Sequence, residues 1–298
     1  MSFDFIIVGS GIAGTSAAYQ LRGKNLLMLD VGFCPEKEIS LEENLYELKK
    51  TRESLFEELI GSNFESLHNI TNTFLSPKLK SPAMRYIIKD LEKLSPVISE
   101  SFKPVMSFSK GGLANAWGGG LLRYSSRDLN NFPISVKDLD PYYNILTKHI
   151  GVTGSNDDLT PFLGSTNGLY PSLDMCSIAK RFYQKYLDNK LFFKNRKICI
   201  GRSRIAVLSE DHGTRAGYNF ANLEFFKSPI PAIYTPTYTL SEMIEKDEIL
   251  YKSGYLVEKY REEKGKVIIF SKNLKSNEIE RFEGKKLILA AGTLNTTK

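Results

Sequence analysis

The chain has little of what would build a metal centre or a disulfide framework. Its three cysteines, Cys34, Cys176 and Cys199, stand far apart with no Cys-x-x-Cys pair, so they read as reduced structural thiols and not as bridges or ligands. Histidine is equally scarce. His68, His149 and His212 are isolated, which argues against a zinc or iron cluster, and no metal site is expected. No apolar run is long enough to span a membrane. No secretory leader is read at the start, where the first apolar run passes straight into a glycine motif, so a cytoplasmic location is the expectation. A large charge excess is also missing: 40 basic residues face 34 acidic ones for a formal net charge of +6. Along the sequence the basic residues look scattered, with no compact basic block interleaved with aromatics. A nucleic-acid partner is therefore not expected, and only a mild preference for anionic ligands remains.

What is present is an ordinary globular composition, 42% hydrophobic and 25% charged over 298 residues, enough for one large or two modest domains. The most informative stretch runs from Asp4 to Asp30. Phe5 to Val8 is a short apolar run that meets Gly9-Ser10-Gly11-Ile12-Ala13-Gly14, and a helix-compatible segment, Thr15 to Leu21, follows directly. A second apolar run then ends on Asp30. Strand, glycine turn, helix, strand and terminal acid together form the dinucleotide-binding pattern. In it Gly9 permits the tight turn, Gly11 leaves room for a pyrophosphate and Gly14 lets helix and strand pack closely. Unpaired amides at the helix start face the phosphates, and Asp30 can accept hydrogen bonds from the adenosine ribose.

Apolar spacing over Ser40 to Ile60, including Leu41, Leu48, Leu55 and Leu59, predicts one or two amphipathic helices, followed by a surface loop over Asn63 to Pro82. Met84 to Leu94 is expected to be helical, ending before Pro96. Around the only tryptophan lies a second glycine-dense segment, Lys110-Gly-Gly-Leu-Ala-Asn-Ala-Trp-Gly-Gly-Gly120. It suits either a backbone laid against a flat ligand or a buried glycine turn anchored by Trp117. Ser135 can cap a helix from Val136 to Ile150, stopped by Gly151, with Pro141 as a break or a start. Asn156 to Ser172 is loop-like and reads as a boundary. Ser177 to Leu191 looks helical, Lys197 to Ile200 and Ile205 to Leu208 look like short strands, and Thr239 to Glu245 is a short helix. Five strands follow: Ile249 to Tyr251, Tyr255 to Tyr260, Val267 to Ser271, Ile279 to Glu283 and Lys286 to Ala290. The last is apolar enough to be buried in a parallel sheet.

Three segments in this order resemble the glucose-methanol-choline (GMC) oxidoreductases, flavoenzymes that oxidise alcohols. They are Ile7 to Gly14; Gly111 to Gly119 continuing into Phe132 to Tyr143; and Leu287-Ile-Leu-Ala-Ala-Gly-Thr-Leu-Asn295. The resemblance implies non-covalent FAD, because Ala116 stands where some relatives carry a flavin-linking histidine. Gly9, Ser10, Gly11, Ile12, Ala13 and Gly14 would surround the pyrophosphate and Asp30 would take the ribose. Gly111, Gly112, Asn115, Trp117 and Gly118 would lie along pyrophosphate and flavin, the backbone of Val257 would meet the adenine, and Ala291 and Gly292 would pass close to the dinucleotide. The interval Arg215 to Tyr234 has none of the cysteines of iron–sulfur relatives.

The expected fold class is α/β, a Rossmann-like FAD/NAD(P)-binding domain with a parallel central sheet plus a β-meander. It would be assembled from residues 1–150 and 246–298, with 151–245 an incomplete substrate or cap region. The implied activity is oxidation of a CH–OH group in an alcohol or sugar-like small molecule by hydride transfer to flavin. In the family the catalytic histidine lies beyond the Ala-Ala-Gly strand, whereas this sequence stops at Lys298. The expectation is therefore a chain without its catalytic residues, and none is nominated. A non-catalytic truncated FAD-binding fragment is the alternative reading. An NAD-dependent dehydrogenase ranks below both, because it leaves the second and third segments unexplained.

Overall fold

The structure is a computed structural model describing residues 2–36, 44–67, 76–100, 102, 104–221, 223–227 and 230–298. His68 and Leu41 lie outside the described residues. In chain order the elements are β1 (Phe3–Val8), α1 (Ile12–Gln20), β2 (Leu26–Leu29), α2 (Leu45–Thr51), α3 (Leu55–Ile60), α4 (Leu91–Leu94), α5 (Val136–Ile150), α6 (Thr160–Leu163), α7 (Ser177–Asp188), α8 (Lys190–Lys194), α9 (Pro236–Glu245), β3 (Leu250–Lys252), β4 (Tyr255–Glu263), β5 (Lys266–Asn273), β6 (Ile279–Leu289) and α10 (Thr293–Thr297). They divide into two compact units. One comprises Met1–Trp117, Ala221–Pro229 and Thr235–Lys298, and the other Gly118–Phe220 and Ile230–Tyr234.

The first unit is mixed α/β, built on one six-stranded, mostly parallel sheet in the order β3-β2-β1-β6-β5-β4. β3, β2, β1 and β6 run parallel, while β6, β5 and β4 form an antiparallel meander. β2 is buried along its whole length, yet its side chains still alternate between faces as the pleat requires. Leu26 and Met28 join Ile7, Ala18, Leu240 and Met243 under α1 and α9. Leu27 and Leu29 join Ile6, Val267 and Ile269, with Tyr255 and Val257 packed on them. Tyr255 and Val257 belong to β4, which three intervening strands separate from β2 in the sheet. The meander therefore folds back over the second face, and the amides of Gly254 and Tyr255 donate to the carbonyls of Val31 and Asp30 at 2.9 and 3.0 Å. Helices cover one face of the sheet and its own antiparallel half covers the other.

Several boundaries differ from the sequence expectation for identifiable reasons. The two strands expected over 279–283 and 286–290 are one strand, β6. Its first part pairs with β5 and its last part with β1, and Gly284 is matched to Phe3 on one side and Val267 on the other. Expected as one helix, Met84 to Leu94 is a 3-10 segment, Pro82–Ile88, and the short α4, separated by Asp90 at φ +53°. α9 begins three residues before the predicted start, with Pro236 in its first turn, where a missing N–H costs nothing. Ser177 to Leu191 splits at Asn189 into α7 and α8.

The second unit keeps the Ser135 cap: the Asp138 carboxylate accepts from Ser135 N and Oγ at 2.8 and 2.7 Å. α5 runs unbroken through Pro141 to Gly151 at φ +77°. The strands expected at 197–200 and 205–208 do not form. Isolated bridges from Ile205 to Gly120 and Thr153, and from Val207 to Ile233, hold the second of these segments. The three cysteines, expected as reduced structural thiols, are free and exposed.

A Cβ added at Gly284 would lie 2.8 Å from Ile6 Cγ1, and Ile6 is fully buried. Gly284→Val should therefore destabilise the first unit by about 1–3 kcal/mol through overpacking. Urea unfolding followed by far-UV circular dichroism would show a lowered midpoint, and an unchanged midpoint would contradict this account of the strand junction.

Candidate functional site

Adjacent parallel strands β2, β1 and β6 end side by side, and the residues that leave them carry three of the sequence signals. β1 gives way to Gly9, β2 to Asp30 and β6 to Ala290-Ala291-Gly292. The carboxyl ends of parallel strands are where an open α/β sheet leaves a crevice. The backbone there is tightly set. Gly9 sits at φ +97°, and a Cβ on it would meet the Ala290 carbonyl oxygen at 2.5 Å. A Cβ on Gly14 would approach the Gly9 carbonyl oxygen to 2.0 Å and the Ala290 methyl to 3.2 Å. These two glycines are required by the fold itself. Gly11 is different, because nothing lies within 4 Å of where its Cβ would be.

α1 starts at this point. Gly11 is its N-cap, no side chain caps it, and no acidic residue occupies its first turn. By helix geometry the amides of Ile12, Ala13 and Gly14 have no intrahelical acceptor, so the free side of Gly11 borders a row of donors. Thr15 closes the turn from within, its hydroxyl donating to Ser10 O at 2.9 Å and its amide to Gly11 O at 3.0 Å.

The second glycine segment is fastened to the same place. Phe33 N donates to Phe108 O and Lys110 N donates to Phe33 O, both at 2.9 Å, so residues 108–110 pair with the chain leaving β2. Gly111 N donates to Ser10 Oγ at 2.9 Å, and Ser10 Oγ donates in turn to Asp30 Oδ2. A Cβ on Gly112 would lie 3.4 Å from Gly11 Cα, so the two glycine segments touch backbone to backbone. Asn115 is buried; its Nδ2 donates to Ser109 Oγ at 3.1 Å and to Lys110 O at 2.8 Å. Its Oδ1 is buried with no hydrogen-bond partner among the described residues, an acceptor without a donor.

Asp30 is buried and accepts from Ser10, from Tyr251 Oη at 3.1 Å and from the amides of Val31 and Gly32. Burial outweighs these bonds and pushes its carboxyl up to about 6 from 3.8. The same burial, with the neighbouring carboxylate, raises the Tyr251 phenol and keeps it a donor. Tyr251 was not legible as a site residue. The signal was its position as the middle residue of the strand paired with β2, visible only once that pairing is known.

The remaining sequence candidates are distributed as follows. Trp117 is half-buried and ends the first unit, whereas Gly118 opens the second unit, exposed and with open space where a Cβ would be. Val257 is half-buried; its side chain packs on the sheet core at a bulge between Val257 and Lys259, close to the Gly254 and Tyr255 bonds to β2. Ala291 N donates to Thr296 Oγ1 at 3.1 Å, and Gly292, at φ +81°, has open space on its Cβ side. His149 and His212 belong to the second unit. His212 Nδ1 hydrogen-bonds the Tyr170 hydroxyl, and His149 lies edge-on to Tyr234.

No protein-family model and no curated protein matches this chain. Among solved structures it is similar to a flavoprotein/dehydrogenase from Cytophaga hutchinsonii, at 9% identity and a TM-score of 0.32, over 98% of this chain and 40% of that one. The chain thus spans about two fifths of the length of the structure it matches.

Proposed function

We propose that the first unit binds FAD without a covalent link and serves an oxidoreductase acting on CH–OH groups of a small alcohol or sugar-like molecule. The observation that carries this reading is the convergence of the Gly9, Gly111 and Ala290 segments at the ends of adjacent strands, tied together through Ser10 and Asp30. The residues fit such a ligand on three counts. The open side of Gly11 leaves a backbone cradle, the uncapped start of α1 offers amides to a pyrophosphate, and Asn115 Oδ1 awaits a donor. NAD alone would need the first glycine loop and Asp30. It would leave the close approach of Gly112 to Gly11 without a purpose.

Bound flavin would accept the hydride from the alcohol carbon. The chain's own residues bind and orient. The amides of Ile12 and Ala13 hold phosphate oxygens, Asp30 accepts ribose hydroxyls, and Gly111 and Gly112 let the backbone lie flat against the ligand. No residue of this chain is assigned as general base, so the proposal for residues 1–298 is cofactor binding, with proton transfer left to other groups.

The test is visible absorbance of the purified chain after incubation with FAD, with the chromophore identified after heat release. Wild type should retain FAD. Gly11→Val should lose it while its urea midpoint stays within about 0.5 kcal/mol, because the added side chain enters open space. Gly14→Val should lose both flavin and stability, because its side chain meets the Gly9 carbonyl. Flavin retained by Gly11→Val, or absent from wild type, would sink the assignment.

Asp30 gives a second signature. Its folded pKa of about 6 exceeds the unfolded 3.8, so between these values the native state binds more protons than the unfolded one. FAD-free protein should therefore lose stability as pH rises from about 4 to above 6, by on the order of 2–3 kcal/mol. Asp30→Asn should remove that slope. FAD affinity should run the opposite way, weakening as pH falls below about 6, because the ionised carboxylate is the better acceptor for ribose hydroxyls. Urea titrations and flavin binding across pH 4–8 check both signs.

A further inference from the structure

The charge that looks scattered along the sequence is concentrated in one structural feature. Residues 177–200 hold seven basic side chains and a single acid, Asp188. This excess of six equals the formal net charge of +6 of the whole chain, so the remaining residues balance. Here the expectation that no basic block is interleaved with aromatics is corrected, since Phe182, Tyr183, Tyr186, Phe192 and Phe193 fall among these lysines and arginines.

α7 and α8 present this segment outward. Tyr183 and Tyr186 stack at 6.1 Å and Phe193 lies 5.2 Å from Tyr186. Asp158 fixes the base by accepting from Tyr186 Oη at 2.5 Å and pairing with Lys190 at 2.8 Å. These contacts use the inward side. On the outward side are apolar residues that a soluble surface would cover: Ile178 at 79% exposure, Phe182 at 62% and Leu191 at 76%. Ile178, Phe182 and Lys185 fall at i, i+4 and i+7 of α7 and share a side. Arg181 lies beside them, and Lys194, Arg196 and Lys197 follow Leu191 and Phe192.

We propose that α7 and α8 dock the second unit on an anionic lipid surface, lying in its plane without crossing it. Exposed apolar side chains flanked by lysine and arginine are what such an interface takes up: the apolar tips enter the acyl boundary and the cations stay with the headgroups. Among the described residues no helix is long and apolar enough to cross a membrane. Aliphatic Ile178 and Leu191 are the most protruding residues of the patch. This favours acyl chains over nucleobases, which stack on aromatic faces.

The test is flotation of the purified chain with phosphatidylcholine vesicles, pure or containing about one-third phosphatidylglycerol. Partitioning to the anionic vesicles should exceed that to neutral ones at least about tenfold, and should fall sharply between about 0.1 M and 1 M salt as screening shortens. Lys185→Gln and Lys194→Gln should each weaken it about fivefold. Phe182→Glu and Leu191→Glu should abolish it at either salt, with circular dichroism and urea midpoint unchanged because both side chains are exposed. Leu191→Trp should show a blue-shifted emission on anionic vesicles only. Equal flotation with both vesicle types overturns the proposal, as does flotation indifferent to Leu191→Glu. So does an absence of flotation combined with oligonucleotide binding or with a dimer that Leu191→Glu disrupts. Flavin content measured on the same samples separates this outcome from any failure of the cofactor assignment.

Discussion

One buried hydroxyl joins the parts of the first unit that were separate in sequence. Ser10 Oγ donates to Asp30 and accepts from the Gly111 amide, so the loop after β1, the end of β2 and the second glycine segment share a single hydrogen-bonded node. An alanine at position 10 would leave a buried carboxylate with one donor fewer and a buried amide without its acceptor, both costly in a site closed to water. The same node sets the distance between the glycine segments. With Gly111 held to Ser10, Gly112 is brought against Gly11. At Gly112 it is the backbone, at φ +63°, that favours glycine, whereas the side of Gly11 stays open.

That node has an energetic consequence. Among the described residues no cation lies at hydrogen-bond range of Asp30, and its donors are hydroxyls and amides that do not offset the loss of water around a charge. Stability alone would be served better by a neutral side chain of similar shape. Placing a carboxylate at the end of a fully buried strand is understandable when a ligand contributes further donors, as ribose hydroxyls would. A buried acceptor without a donor, Asn115 Oδ1, points in the same direction from the other side of the node. Asn115 Oδ1 is the group short of a donor, and a ligand rich in hydroxyls can supply one there while adding further bonds to the buried Asp30.

The sequence made the first βαβ unit legible because its signals are local: a glycine turn, an uncapped helix start and an acid at a strand end. The meander was legible for a similar reason, since Lys264 and Gly265 at positive φ close the β4–β5 turn within the chain. The identity of β6 as one strand was not, because the sequence around Glu283 and Gly284 reads as an interruption. Only the partner explains it, since Ile6 occupies the space above Gly284. Likewise, Ile205 to Leu208 alternates like a strand but finds only isolated bridges, and pairing is a property of two segments. In residues 177–200 the basic side chains are spaced every few positions and look dispersed in a line. A helix turns that spacing into a surface.

The glycine motif shows why pattern and role must be separated. Gly9, Gly11 and Gly14 are the same residue type within one short loop, but the structure gives them different surroundings. Gly9 and Gly14 answer to the protein: each is pressed against backbone, one by the Ala290 carbonyl and the other by the Gly9 carbonyl. Any chain with this strand-to-helix turn beneath this third strand would need them, ligand or not. Gly11 answers to nothing in the protein, for its side is open and its φ of −65° suits any residue. A position that tolerates a side chain sterically and conformationally, yet lies at an uncapped helix start, gains nothing for the fold by being glycine. A bound dinucleotide, as proposed above, would give glycine a physical reason there, because it would need the space and the amides. In this motif the proposed ligand therefore leans on the one glycine that the fold does not require.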